Sequence, residues 1–328
     1  MHIETLRGIA ILLVVMGHVI GSAPEGGMKI DFPHPLRYLY LWIDYIQMPL
    51  FTAIAGWVYA MKPCTDFGPF IKRKALRLLV PMIVVVTSYF LLQYFIPGTN
   101  CKGDISQIWK LLIFPYSLYW YLPSLFLIFV LQSAIDKYKW MDKPFEWFIV
   151  LSFSYVCCFL EQYIIPVDVP NFFSFKGALN QLPYFITGVG IFRFMKLASY
   201  HSCVKFGCLS AAFMGVILLQ IEWTQELTGC VWYEICQPLW VIPTLVLLLY
   251  HAKWSVSVFS WLGQYAYSIY LFHGFGTAGG RIILKYLGVS NVYILFITIL
   301  FIALISSVII EKILVKHRWF RMCFLGKL

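Results

Sequence analysis

Apolar residues run through this chain in long stretches broken by short polar segments, and the length of each stretch predicts its element. A helix crossing a hydrocarbon layer needs about 20 apolar residues, whereas a membrane-barrel strand needs only about 10 of alternating character. Stretches near residues 6–22, 38–61, 70–96, 117–135 and 145–165 meet the helical requirement, as do those near 178–197, 203–221, 233–251, 263–286 and 290–315. The pattern predicts an all-α fold, a polytopic integral membrane bundle of about ten transmembrane helices. No connecting segment exceeds about twenty residues, so the chain reads as one transmembrane domain over 1–328, without internal repeats.

Composition agrees: 61% of the residues are hydrophobic and 12% charged, which excludes a soluble core. With the N-terminus placed inside, 18 of the 25 lysines and arginines fall on inner segments, from Arg7 through the 72–77 cluster to Lys327. That distribution predicts an N-in, C-in protein of the plasma (inner) membrane. The net charge of +10 is then mainly a topology signal and gives no support to a nucleic-acid partner. The "GSA" at 21–23 resembles a signal-peptide cleavage site, but removing the first span would invert the charge count, so a retained span is expected. The nine cysteines show neither CxxC nor metal spacing, and no metal is expected; Cys157 and Cys158 read as packing residues. Cys101, Cys230 and Cys236 fall on the outer side, and Cys230 with Cys236 is the nearest candidate disulfide there.

The first span carries the first chemistry. Arg7 and His18 are eleven residues apart, about three helical turns, so they share one face with a rise of roughly 16 Å between them. One reading has Arg7 snorkelling to the inner headgroups and His18 satisfying a buried carbonyl. The other has both lining a polar passage, in which an imidazole can take and return a proton as a general base while the arginine holds a fixed charge. A second basic cluster opens the third span in "FIKRKALRLLVP" at 70–81, where Lys72, Arg73, Lys74 and Arg77 crowd one end of a helix. Positive-inside topology accounts for the cluster, and so does an anion between like charges, phosphate suiting the guanidinium fork best.

Several segments resemble the acyltransferase family 3 membrane proteins, and within them the fucose 4-O-acetylase-like and other glycan O-acetyltransferases. "ETLRGIAILLVVMGHV" at 4–19 resembles the family's opening signature, and "MPLFTAIAGWVYA" at 48–60 its second-span segment. "KRKALRLLVP" at 72–81 is similar to its basic third-span motif, "YWYLPSLFL" at 119–127 to its aromatic segment, and "YSIYLFHGF" at 267–275 to its late Tyr-Leu-x-His segment. Gln47 and Ala55 stand where the family pattern has His and Ser. The resemblance implies transfer of an acyl group, usually acetyl, from cytoplasmic acyl-CoA to a hydroxyl of a carbohydrate or lipid-linked glycan outside. Acetyl-CoA is then a donor co-substrate, and no metal is involved. His18 is the expected base and Arg7 its partner on the donor, with Arg73, Lys74, Arg77 and Lys72 on the donor phosphates.

Secondary candidates follow. His273 and Tyr270 share the ninth span, where His273 could orient the acceptor or stabilise an oxyanion, or be a satisfied core histidine. Asp44, Gln47, Asn180 and Gln181 near outer span ends could meet sugar hydroxyls, although polar residues are common at helix ends. Trp120, Tyr121, Trp232, Tyr233 and Trp240 read as an interfacial aromatic belt. Two further function classes remain open: a transporter or flippase of a glycan-related substrate without acyl chemistry, and a structural membrane subunit. Acyl turnover by purified protein separates the enzyme from both.

Overall fold

The structure is a computed structural model that describes residues 2–22, 26–100, 104–166, 168–198, 202–224 and 237–327. It is 81% helical, and the described residues contain no strand. The helices are α1 (His2–Ile20), α2 (Pro35–Met61), α3 (Phe67–Phe95), α4 (Tyr121–Lys137), α5 (Pro144–Tyr163) and α6 (Phe175–Ala198). They continue as α7 (Ser202–Thr224), α8 (Pro238–Val246), α9 (Ser257–Gln264), α10 (Ala266–Tyr286), α11 (Val292–Leu314) and α12 (Arg318–Leu325). Each apolar stretch coincides with a helix to within a few residues, except that 233–236 lie outside the described residues and the ninth stretch is interrupted at Tyr265. Among the described residues, five segments are long and apolar enough to cross a membrane by length and composition: His2–Ile20, Phe67–Phe95, Ile105–Lys137, Pro144–Tyr163 and Val292–Leu314.

Helix ends are set by local chemistry. Asn291 caps α11 by accepting from the backbone N–H groups of Tyr293 and Ile294, and His34 Nδ1 accepts from Leu36 N ahead of Pro35 at the start of α2. Outside the apolar runs lie a 3₁₀ helix at Ile105–Leu112, capped by Asp104, a 3₁₀ turn at Phe172–Ser174, and the short α12, which folds back on α3.

α1 lies in the middle of the bundle, against α2, α9, α10 and α11. Its closest approach is to α9: a Cβ on Gly8 would stand 1.9 Å from the Phe259 carbonyl oxygen, and one on Gly263 2.0 Å from the Glu4 carbonyl oxygen. Only glycine permits that backbone contact, the usual device where helices must associate without a hydrophobic drive. Thr5 Oγ1 lies 2.6 Å from Ser260 Oγ across the same crossing. α2 and α6 meet in the same way, a Cβ on Gly188 falling 1.9 Å from the Ala53 carbonyl oxygen.

Candidate functional site

α1, α3 and α10 all begin at the bundle end that carries Arg7 and finish at the end that carries His18. At the His18 end the helices surround an open-mouthed cavity of about 590 Å³, within the range of small-ligand sites. α1 supplies Gly17 and His18, α2 supplies Tyr40, Asp44 and Gln47, α3 supplies Tyr89 and Gln93, and α10 supplies Thr277 and Arg281, with Trp120 at the start of α4. His18 is half-buried, and among the described residues nothing is hydrogen-bonded to its ring, so its nitrogens are unclaimed on the cavity wall.

Polar side chains from α1 and α2 meet on one part of the cavity wall. The Asp44 carboxylate is exposed to the cavity and accepts from the Tyr40 hydroxyl at 3.0 Å and from Gln47 Nε2 at 2.8 Å. The Gln47 donation turns the other end of its amide toward α1, where a Cβ on Gly17 would meet Oε1 at 2.7 Å. That oxygen is buried without a hydrogen-bond partner, one residue from His18. A small residue at 17 therefore makes room for an idle acceptor beside the imidazole.

Two buried arginines hold the rim. Arg281 Nη1 donates to the Gly27 carbonyl at 2.7 Å and Nη2 to the Gly98 carbonyl at 3.2 Å, while Asn100 Nδ2 reaches the same Gly27 oxygen at 3.2 Å. Arg37 donates to the Gly21 and Ser22 carbonyls at 2.6 and 3.1 Å and stacks on Tyr40, 4.8 Å from its ring centroid. The two arginines tie the α1–α2 connection to α2, α3 and α10.

His273 on α10 is fully buried, and its ring centroid lies 5.1 Å from that of His18. Its Nδ1 lies 2.9 and 2.8 Å from the carbonyl oxygens of Ile269 and Tyr270, while Nε2 is buried without a partner. Tyr270 is outside the cavity: its hydroxyl donates to the Leu118 carbonyl at 2.7 Å, and the Tyr119 hydroxyl returns a bond to the Leu271 carbonyl at 3.0 Å. Gln181 is also elsewhere, its Oε1 3.0 Å from the Thr52 hydroxyl and its Nε2 donating to Asn180. The structure thus brings His18, Asp44 and Gln47 to one cavity, sets His273 behind His18, and places Tyr270 and Gln181 in the packing.

The basic residues gather at the other end. Arg7 is half-buried and has Glu4 and Arg77 as its charged neighbours. Lys72, Arg73 and Arg77 are exposed, whereas the Lys74 ammonium lies 3.6 Å above the Phe129 ring centroid and is turned toward α4. Among the described residues the ion pairs are Arg193 with Asp136 and Lys327 with Glu311, so none of these five cations has a carboxylate within pairing distance. α10 and the C-terminal residues both pack on this end: the Tyr267 hydroxyl donates to the Arg77 carbonyl, and a Cβ on Gly326 would lie 2.6 Å from the Arg77 Cα. None of Arg7, Lys72, Arg73, Lys74 or Arg77 lines the cavity.

Sequence reasoning missed a third polar cluster. Arg193 on α6 makes a two-point contact with Asp136 on α4, which also accepts from the Tyr59 hydroxyl at 2.7 Å and from Gln132 Nε2 at 2.9 Å. The signal available was an acid and a base near the same end of two apolar stretches. Nearby, burial pushes the Cys64 thiol above its ordinary range, which keeps it protonated and unsuited to nucleophilic work. Cys157 and Cys158 are free thiols of α5, and among the described residues no cluster of His, Cys, Asp or Glu could hold a metal. Cys101, Cys230 and Cys236, and with them the candidate disulfide, lie outside the described residues, as do Trp232 and Tyr233.

Helices of spanning length around a cavity, with an unclaimed imidazole on its wall and a cationic cluster at the other end, define a multi-pass membrane protein. The family model described as Acyltransferase domain (the acyltransferase 3 family) matches residues 2–312, and the chain belongs to that family of membrane acyltransferases. No curated protein and no solved structure matches it.

Proposed function

We propose that the protein is an O-acyltransferase that moves an acyl group, acetyl in the first instance, from cytoplasmic acyl-CoA to a hydroxyl of an extracytoplasmic carbohydrate or lipid-linked glycan. The observation that carries this reading is the position of His18, unclaimed by the protein on the wall of a cavity, one residue from the idle Gln47 Oε1. A sugar hydroxyl entering that cavity can donate to His18 and be steered by Gln47 and Asp44. His18 takes the hydroxyl proton as the oxygen attacks the thioester carbonyl, and the departing thiolate of coenzyme A receives a proton in turn.

The donor belongs at the opposite end. Five cations with no carboxylate within pairing distance among the described residues suit the phosphates of coenzyme A, with Arg73 and Arg77 exposed to receive them and Arg7 next to Arg77 at the foot of α1. Lys72 adds charge at the surface, and Lys74 acts from its place on Phe129. The rise of roughly 16 Å from Arg7 to His18 suits a long pantetheine arm carrying the thioester along α1. Ten spans with both termini inside, in the plasma (inner) membrane, put the cationic end in the cytoplasm and the cavity outside, as the charge distribution favours.

Purified protein supplied with acetyl-CoA and glycan acceptors tests the reading: acyl transfer detected by mass is expected in the wild type and is lost in His18→Ala and His18→Gln. Full activity in both variants removes the base assignment, and substrate movement across vesicles without acyl turnover replaces the enzyme by a transporter.

A further inference from the structure

The tautomer of His273 follows from its neighbours. Nδ1 lies within hydrogen-bond distance of two backbone carbonyl oxygens, at 2.9 and 2.8 Å. Carbonyl oxygens only accept, so Nδ1 must carry the ring proton and share it between them. The neutral ring then has a bare lone pair at Nε2. That atom is buried and has no partner, in a residue with no exposed surface. His273 consequently has no N–H to offer an oxyanion; what it offers is an acceptor.

Of the two rings packed against His273, Tyr270 gives its hydroxyl to the Leu118 carbonyl, which leaves His18 as the ring with a proton to give. A N–H···N bond of about 2.9 Å between two imidazoles sets their centroids roughly 5 Å apart, and these centroids are 5.1 Å apart with the rings inclined by 34°. The bond is not made in this arrangement, but the spacing is already that of a bonded pair and the His18 ring is held by no other hydrogen bond. Turning the His18 ring about χ2 is the motion that would bring one of its nitrogens toward Nε2. A buried lone pair left idle is costly, and accepting from His18 removes the cost.

We infer that His273 is the positioning residue of His18: its Nε2 accepts the N–H of His18, and the other His18 nitrogen, carrying the lone pair, is thereby presented to the cavity as the base. The same bond stabilises the imidazolium that forms when His18 takes the hydroxyl proton. His18 then returns the proton to the departing thiolate, and His273 holds the same tautomer throughout. This inference rests on the base assignment of His18 but is tested apart from it.

The test is residue-resolved carbethoxylation of the full-length protein by diethyl pyrocarbonate, which reacts with an accessible imidazole lone pair, read as peptide mass over time at one pH. In His273→Phe, which keeps the ring but removes the acceptor, labelling of His18 is expected to slow at least fivefold. In His273→Gln, whose amide oxygen reaches the place of Nε2, it is expected to return to within twofold of wild type. In acyl transfer, His273→Phe is expected to lower kcat at least tenfold with KM within twofold, His273→Gln to recover most of it, and the double variant with His18→Ala to be no slower than His18→Ala alone. Unaltered labelling of His18 in His273→Phe overturns the inference whatever the turnover, whereas full turnover in His18→Ala overturns the base assignment. Histidine ¹⁵N spectra of the wild type judge the same point without a variant: protonated Nδ1 with bare Nε2 in His273 is expected, and the reverse overturns it.

Discussion

Asp136 on α4 and Arg193 on α6 are joined by two parallel hydrogen bonds, Nη1 to Oδ1 at 3.0 Å and Nη2 to Oδ2 at 2.7 Å. The Asp136 and Arg193 side chains are 10% and 19% exposed, so the pair is largely out of water, and Tyr59 and Gln132 complete the carboxylate's shell. Removing one member leaves the other charged and unpaired. Asp136→Ala is therefore expected to cost about 3 kcal/mol and Arg193→Lys, which keeps the charge but loses the fork, about half of that. Thermal unfolding in detergent checks both; an unchanged midpoint in Asp136→Ala removes the pair from the account of stability.

The crossing of α1 with α9 leads to a second expectation. The Gly8 position faces backbone, which cannot turn aside, so Gly8→Ala must push the helices apart and is expected to cost about 3 kcal/mol. Gly279→Ala on α10 meets nothing within 4 Å and serves as the control, with an expected change within about 0.5 kcal/mol. Equal melting temperatures for the two variants would contradict the close crossing.

Arg281 ties the Gly27 and Gly98 carbonyls at the cavity rim. Arg281→Met frees both and loosens the α1–α2 connection without touching His18. The expected outcome is a KM for the acceptor raised about tenfold, the equivalent of one hydrogen bond to a charged donor, with kcat within threefold. Steady-state kinetics with varied acceptor decide it, and a kcat loss at constant KM would place Arg281 in the chemistry instead.

Arg77 is exposed beside Arg7, and no carboxylate among the described residues pairs with it. Loss of one charge-assisted contact to phosphate is worth about 2 kcal/mol, so Arg77→Ala is expected to weaken acetyl-CoA binding about thirtyfold, more at low salt than at high. Lys74→Ala, whose ammonium already rests on Phe129, is expected to weaken it less. Calorimetric titration of both variants checks the order, and unaltered affinity in Arg77→Ala leaves the cluster with a topological role only.

The long helices are legible in the sequence because they are written as apolar runs between polar breaks, and α1 reads as buried because Arg7 and His18 share its face. What the linear pattern hides is pairing over distance. Asp136 and Arg193 are 57 residues apart, and nothing in the linear pattern joins them. Arg281 looks like one more outer charge until Gly27, 254 positions away, is brought under it. Tyr270 and Gln181 show the converse: polar atoms near the ends of spans invite a binding role, yet the backbone and Thr52 take their hydrogen bonds. Composition tells that a polar group must be satisfied; only the fold tells by what.

The most direct test of the central claim, that a cationic grip at one end of α1 and His18 near the other serve a single donor, is a structure with coenzyme A bound. The expected density has the phosphates at Arg73 and Arg77 and the pantetheine running along α1 until its sulfur lies within reach of His18. Coenzyme A bound elsewhere, or with its sulfur directed away from α1, would contradict the claim.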